Sequence, residues 1–435
     1  MRSNNPSIGM TLVLAIFTVT LLVPGTEAAA QEEKVLHNFS NNGKDGSDPY
    51  AGVIFDAAGN LYGTTLQGGA YDQGTVFELS PAGGGWKETR LHTFNPNVKD
   101  GLGPYGGLIF DGAGNLYGTT GNGGSGRGGT VFQLSPVVGG GWREKILHNF
   151  NYNGGKDGIV PYASLIFDAV GNLYGTTLNG GPGLCTNRNG DVVGCGTVFE
   201  LTPKADGAWT EKILHRFDNR GTDGYFPYAS LVLDASGNLY GTTFYGGAHG
   251  YGTVFELTPQ AGGSWTERMV YSFCSQSFCT DGSVPFASLI FDAAGNLYGT
   301  TQQGGGGGGT VFELTPSGGG AWTESILASF SDSGDEAAEG TFPAARLIFD
   351  AAGNLYGTTA SGGANGWGTA FELSPGAAGG VWTEKVLHNF NYNPYNGTDG
   401  ADPTCGLIFD AAGNLYGTTF SGGSGRYGTV FEIRP

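Results

Sequence analysis

The hexapeptide Asn-Leu-Tyr-Gly-Thr-Thr occurs seven times, beginning at Asn60, Asn115, Asn172, Asn238, Asn296, Asn354 and Asn414. Successive copies lie 55 to 66 residues apart. A unit repeated at this period cannot bury its apolar face alone, so neighbouring units must stack into a continuous core. The repeats run through residues 31–435, which leaves no room for a separate catalytic domain. Glycine is abundant at 83 residues, but it recurs with the repeat and therefore marks turns rather than disorder.

One unit reads as four short strands. In the stretch from Pro104 to Phe150, Leu108 to Asp111 forms strand A and Asn115 to Thr120 forms strand B. Gly129 to Leu134 forms strand C and Trp142 to Phe150 forms strand D. The A–B connection, Asp111-Gly-Ala-Gly-Asn115, is hairpin chemistry: the carboxylate accepts turn N–H groups and Gly supplies a positive φ. No segment holds a 3.6-residue period, so the expected class is all-β with antiparallel, up-and-down order. Seven such sheets packed radially bury both faces and predict a seven-bladed β-propeller of four-stranded blades. A linear β-solenoid is the alternative; it needs parallel coils and usually shorter periods. The last unit stops after strand C, whereas Glu33 to Phe39 matches the strand D sequence Glu384 to Phe390. The N-terminal strand is therefore expected to complete the last blade and close the ring.

The Leu-Tyr-Gly-Thr-Thr and Gly-Thr-Val-Phe-Glu-Leu blocks resemble the GloVer (Gloeo/Verruco) tandem repeat, and the likeness covers all seven units. The resemblance implies a secreted bacterial protein and carries no assigned activity or catalytic residue. The Asp-x-x-Gly-Asn-Leu-Tyr core is similar, more generally, to NHL-type propeller repeats.

Residues 1–30 read as a signal peptide, with Arg2, an apolar run from Thr11 to Val23, and Ala28-Ala29-Ala30 before Gln31. The remaining 31–435 is expected to be one propeller, exported to the periplasm or the medium as a monomer with no membrane span. A net charge of −18 argues against nucleic acid as partner. Most of the acids recur at fixed repeat positions, so they read as scaffold and solubility.

Comparing the units with one another separates scaffold from candidate site. The A–B and C–D loops share one face and vary little. The D–A and B–C loops share the other. The B–C loops carry Tyr71, Arg127, Tyr245, His249, Tyr251, Trp367, Arg426 and Tyr427, residue types suited to ligand contact. Ordinary loop drift would also produce them.

The D–A loops carry Asp45, Asp100, Asp157, Asp223, Asp281, Glu339 and Asp399, followed by Tyr50, Tyr105, Tyr162, Tyr228 and Phe286 in five units. Ala344 and Thr404 take the place of these aromatics in the last two units. If both sets face the axis, they make a ring of acids and aromatics that could stack on sugars or hold Ca²⁺. Alternatively, Asp-Gly is a turn and each Tyr fills a gap between blades.

Five of six histidines (His37, His92, His148, His215, His388) share one strand D position and read as scaffold. No nucleophile elbow, His-Glu-x-x-His or P-loop is present, so no catalytic residue or metal ligand is assigned. The expected function is a non-catalytic scaffold that binds an extracellular glycan or protein. The alternative is a carboxylate-dependent polysaccharide lyase or glycosidase working at the channel mouth. Cys185 and Cys195 bracket the long B–C insertion and are expected to pair, as are Cys274 and Cys279; Cys405 reads as a small buried thiol.

Overall fold

The computed structural model describes residues 32–435 apart from 153–156, 188, 333–338, 378–379, 394 and 396. The signal-peptide reading of residues 1–30 lies outside the described residues.

The chain is a seven-bladed β-propeller. In the first blade Ile54–Phe55 is strand A, Leu61–Thr65 is B, Thr75–Ala82 is C and Gly85–Thr93 is D. They pair antiparallel in that order from the axis outward. Strand A is shorter than the sequence predicts. In the second blade it is Ile109–Phe110, because Leu108 turns into the core and the Asp111 N–H already bonds across the turn to the Asn115 carbonyl. Strand D carries a bulge in each blade. In the first, Val76 faces His92 and Phe77 faces Arg90, so Leu91 is extra.

The last blade is completed by the N-terminal strand Glu32–Asn38, which pairs antiparallel with Thr429–Arg434. Ring closure by the two chain ends is thus observed, as the truncated last unit predicts.

Each position of the hexapeptide has a structural task. In the first copy the Asn60 side-chain amide donates to Asp56 at 2.8 Å, and the Tyr62 hydroxyl donates to the same carboxylate at 3.1 Å. Leu61 is fully buried. Gly63 faces the Phe77 ring so closely that a Cβ would lie 2.6 Å from its Cζ. Thr64 donates its hydroxyl to the Gly106 carbonyl of the next blade at 3.2 Å. Thr65 bonds the Thr75 hydroxyl within its own blade at 2.8 Å.

The core lies between blades. Strand C supplies a buried Phe in every blade, and the Phe ending the preceding blade's strand D packs edge-on or tilted against it. Phe94–Phe132, Phe150–Phe199 and Phe217–Phe255 are examples, with centroids 5.4, 5.1 and 5.2 Å apart. Phe39–Phe77, at 5.2 Å, repeats this contact across the closing seam. Burying each such ring contributes about 1.5–3 kcal/mol.

Candidate functional site

The segment entering strand A builds the axial channel. In an extended chain, alternate residues share one face. Tyr50, Gly52 and Ile54 face the channel, while Val53 between them is buried in the core. Seven such segments enclose a cavity of about 660 Å³. Its first layer holds Tyr50, Tyr105, Tyr162, Tyr228, Phe286, Ala344 and Thr404.

The five aromatics pack on one another. Tyr105 and Tyr162 stack at 3.8 Å, and Tyr50 reaches Tyr162, two blades away, at 5.9 Å. Tyr162–Tyr228 and Tyr228–Phe286 continue the cluster at 5.5 and 5.0 Å. Contact between blades one and three is geometrically available only near the axis, so these rings gather over the channel. Burial, then the neighbouring phenols Tyr228 and Tyr105, push the Tyr50 hydroxyl up to about 12. Burial with the phenols of Tyr105 and Tyr50 raises Tyr162 further. These hydroxyls stay protonated at neutral pH.

The D–A acids do not join this ring. None of them lines the cavity. Each D–A Asp turns outward, away from the axis. The Asp100 carboxylate accepts from the N–H groups of Asn95 and Gly101 at 3.0 and 2.7 Å, and lies 3.2 Å from His92 Nε2. Glu144, on strand D of the next blade, closes a triad with His92 at 3.7 Å. His148–Asp157–Glu211 and His388–Asp399–Glu33 repeat it, the latter across the closing blade. In place of the histidine the seam between the fourth and fifth blades uses Tyr271, which donates to Asp281 at 2.9 Å. The repeated His position is therefore seam scaffold, as its register implies, and the supposed ring of acids and aromatics is two separate layers.

Burial and the facing Asp100 push Glu144 up to about 9. Burial, with a hydrogen bond that its protonated form donates to the Asp157 carboxylate, pushes Glu211 up to about 8. Glu33, Glu88, Glu144, Glu211, Glu324 and Glu384 each carry a buried Oε1 without a bonding partner. A carboxyl facing a carboxylate in such a place shares a proton. Three of these triads bring His and carboxylate ligand atoms within 4.8 Å, close enough to hold a divalent cation instead. Where Tyr271 takes the His position, the task there is hydrogen-bond donation.

The B–C loop residues lie around the rim unevenly: three belong to the fourth blade, two to the seventh, one each to the first, second and sixth, and none to the third and fifth. Tyr71, Tyr245, Tyr251, Trp367 and Tyr427 are exposed, as are Arg127, His249 and Arg426. Trp367 packs edge-on against Tyr392 at 5.4 Å, and Tyr245 rests on Phe244 at 4.6 Å. The main chain at three of these positions is scaffold. The carbonyls of Tyr251, Trp367 and Tyr427 accept N–H groups of Val284, Asp402 and Asp48 in the next blade, at 2.8, 3.1 and 2.9 Å. Short pairings such as Gly46–Ser47 with Gln67–Gly68 join each D–A loop to its B–C loop, so the two do share one face.

Cys185–Cys195 and Cys274–Cys279 are disulfide-bonded, and Cys405 is a buried free thiol. Two disulfides point to an oxidising, extracytoplasmic location. Among the described residues no helix is long and apolar enough to cross a membrane.

Arg346, Ser164, Ser230 and Ser288 also line the cavity, and no sequence motif marks them as site residues. The one sequence signal for Arg346 is its register position, which holds Gly or Ser in every other unit.

Fold and channel together define a tandem-repeat β-propeller with an aromatic-lined axial cavity. The chain belongs to the family described as the Gloeobacter/Verrucomicrobia repeat, which matches residues 15–192 and 183–431. A comparison with curated proteins finds no match. Among solved structures, a protein from Lactobacillus plantarum is similar at a TM-score of 0.50 and 14% identity, covering 79% of this chain and 85% of that one. A putative gluconolactonase aligns at a TM-score of 0.42 and 15% identity, covering 83% and 95%. A putative oxidoreductase (glucose dehydrogenase) from Thermus thermophilus aligns at 0.43 and 14%, covering 93% and 100%. At these identities the likeness concerns the propeller fold alone.

Proposed function

We propose that this propeller is an exported binding protein whose ligand, an extracellular glycan, sits in the axial channel. The observation that carries this reading is the cavity lining. It offers five clustered aromatic rings and, among the described residues, no carboxylate or imidazole. Aromatic faces with a few hydroxyl donors are what a pocket uses to hold and orient a sugar ring. Export is supported by the sequence pattern of Arg2, Thr11 to Val23 and Ala28 to Ala30, and by the two disulfides.

The competing reading, a carboxylate-dependent lyase or glycosidase, requires acids that flank the scissile bond. The D–A carboxylates it would use are engaged with backbone N–H groups and histidines at the seams. That favours binding. A glycan array with a parallel turnover assay on the same panel tests the choice. Binding without turnover is expected. Turnover that disappears in Asp100→Asn, with melting unchanged, would decide for the enzyme.

A further inference from the structure

The channel loses its repeat symmetry one layer beneath the aromatic rings. The residues at this level are Gly52, Gly107, Ser164, Ser230, Ser288, Arg346 and Gly406. Arg346 is the single charged side chain among the described residues that line the cavity. It stands two residues after Ala344 on the same side of the strand, and Gly406 stands two after Thr404. The guanidinium thus belongs to the sector where the aromatic layer is replaced by Ala344 and Thr404.

Arg346 stays in contact with solvent, but the solvent is that of the lumen, with protein around it. This confinement, through loss of water, pulls the guanidinium below its ordinary pKa. An arginine still remains charged at neutral pH. Among the described residues no acid lines the cavity to neutralise it. Its surroundings add donors instead. Thr404 Oγ1 is buried with no hydrogen-bond partner among the described residues. Ser288 uses its oxygen to accept from the Ser230 N–H at 3.0 Å, so its hydroxyl hydrogen is left to donate. Gly406 keeps the place open, because a Cβ there would come within 3.3 Å of Arg346 Cβ.

A confined cation beside unspent hydroxyls, with aromatic faces above, matches one ligand chemistry. A planar carboxylate pairs bidentately with guanidinium, about twice as strongly as a neutral hydrogen bond. The attached sugar ring then meets the tyrosines. We infer that the channel recognises a carboxylate-bearing sugar, a uronic acid within a glycan, with Arg346 as the group that selects the acid. This rests on the reading of the channel as a glycan site. The net charge of −18 opposes approach of an anion. That repulsion is largely screened beyond about 8 Å at physiological salt, whereas Arg346 acts at contact.

The test is calorimetric titration of the full mature chain with glucuronate and with glucose, for the parent, Arg346→Ser and Arg346→Lys. Ser is the residue three other blades carry at this level, so Arg346→Ser should keep the melting temperature. The parent is expected to bind glucuronate at least tenfold more tightly than glucose. Arg346→Ser should lose that preference, and Arg346→Lys should keep part of it. If the parent binds both sugars equally, or Arg346→Ser keeps the preference, the inference is overturned while the glycan site stands. If the parent binds neither, the inference falls. A blank glycan array would then bring down the wider reading as well.

Discussion

Thr418 in the last blade donates its hydroxyl hydrogen to the carbonyl oxygen of Ala51 in the first, at 3.0 Å. The same threonine of the repeat makes the same kind of bond at every other seam but one, as Thr119 to Ala163 at 3.0 Å and Thr176 to Ala229 at 3.1 Å. The closing seam is thus built like the covalently continuous ones. Thr300 differs: its hydroxyl is buried without a partner. Removing the hydroxyl should therefore cost unequally. Thr418→Val is expected to lose about 1 kcal/mol, because it strips a partly buried carbonyl of its donor. Thr300→Val should be close to neutral. Urea denaturation of both variants checks this, and equal losses would contradict the seam assignment.

Closure also depends on the strand Glu32–Asn38. Deleting residues 31–40 leaves Thr429–Arg434 as an open edge and removes Phe39 from Phe77. The expected outcome is loss of a single cooperative melting transition in calorimetry. A deletion variant that melts like the parent would refute the closed ring.

The seam glutamates give stability a pH dependence with a definite sign. Glu33 and Glu324 are pushed up to about 7, Glu211 and Glu384 to about 8 and Glu144 to about 9, in each case mainly by burial. The folded chain therefore holds protons that the unfolded chain, with a glutamate pKa of 4.5, releases. Their contribution is full below that value and is lost as pH rises through 7 to 9. The turn aspartates act oppositely. Burial disfavours the Asp56 carboxylate, but bonds from Asn60, Ala58 and Tyr62 outweigh it and hold it below 3.8. The Asp111, Asp168, Asp350 and Asp410 carboxyls are lowered likewise. Their stabilisation is lost as pH falls through that range. Melting temperature should thus peak at about pH 5 and decline toward pH 9. Glu144→Gln, which needs no proton, should flatten the decline; a melting temperature that climbs from pH 5 to 9 would show that the glutamates fold ionised.

Reduction separates the cysteines. The Cys185–Cys195 bridge ties the ends of a B–C insertion and should contribute about 2–3 kcal/mol. Dithiothreitol is expected to lower the melting temperature. Cys405 is buried, its Sγ is 3.0 Å from the Thr418 carbonyl oxygen, and burial raises its pKa. It should resist alkylation until the chain unfolds. Rapid labelling of Cys405 in the native protein would contradict this packing.

The propeller was legible because its signals are local and repeated. Asp-x-x-Gly-Asn writes a turn, Thr-Val-Phe writes a strand, and the unmatched strand at Glu33 to Phe39 writes the closure. What the sequence could not give was the direction of side chains in irregular loops. Asp100 and Tyr105 are five residues apart, yet one turns outward to His92 and the other inward to Tyr162. A residue pattern has no period to report across such a loop. The partner of Asp100 on the far side, Glu144, belongs to the next unit and enters only through packing. Arg346 was hidden differently: one exception among seven otherwise small residues carries little weight until the channel places all seven in one ring.

Ligand is expected to bind in the axial channel rather than at the exposed rim. Titration of the strongest glycan-array ligand into the parent, Tyr162→Ala and Tyr71→Ala tests this most directly, with melting curves recorded for each. Tyr162 belongs to the axial cluster, and Tyr71 is an exposed rim residue. The predicted result is affinity at least tenfold weaker for Tyr162→Ala and unchanged for Tyr71→Ala. Unchanged affinity in Tyr162→Ala, with the loss falling on Tyr71→Ala, would contradict it.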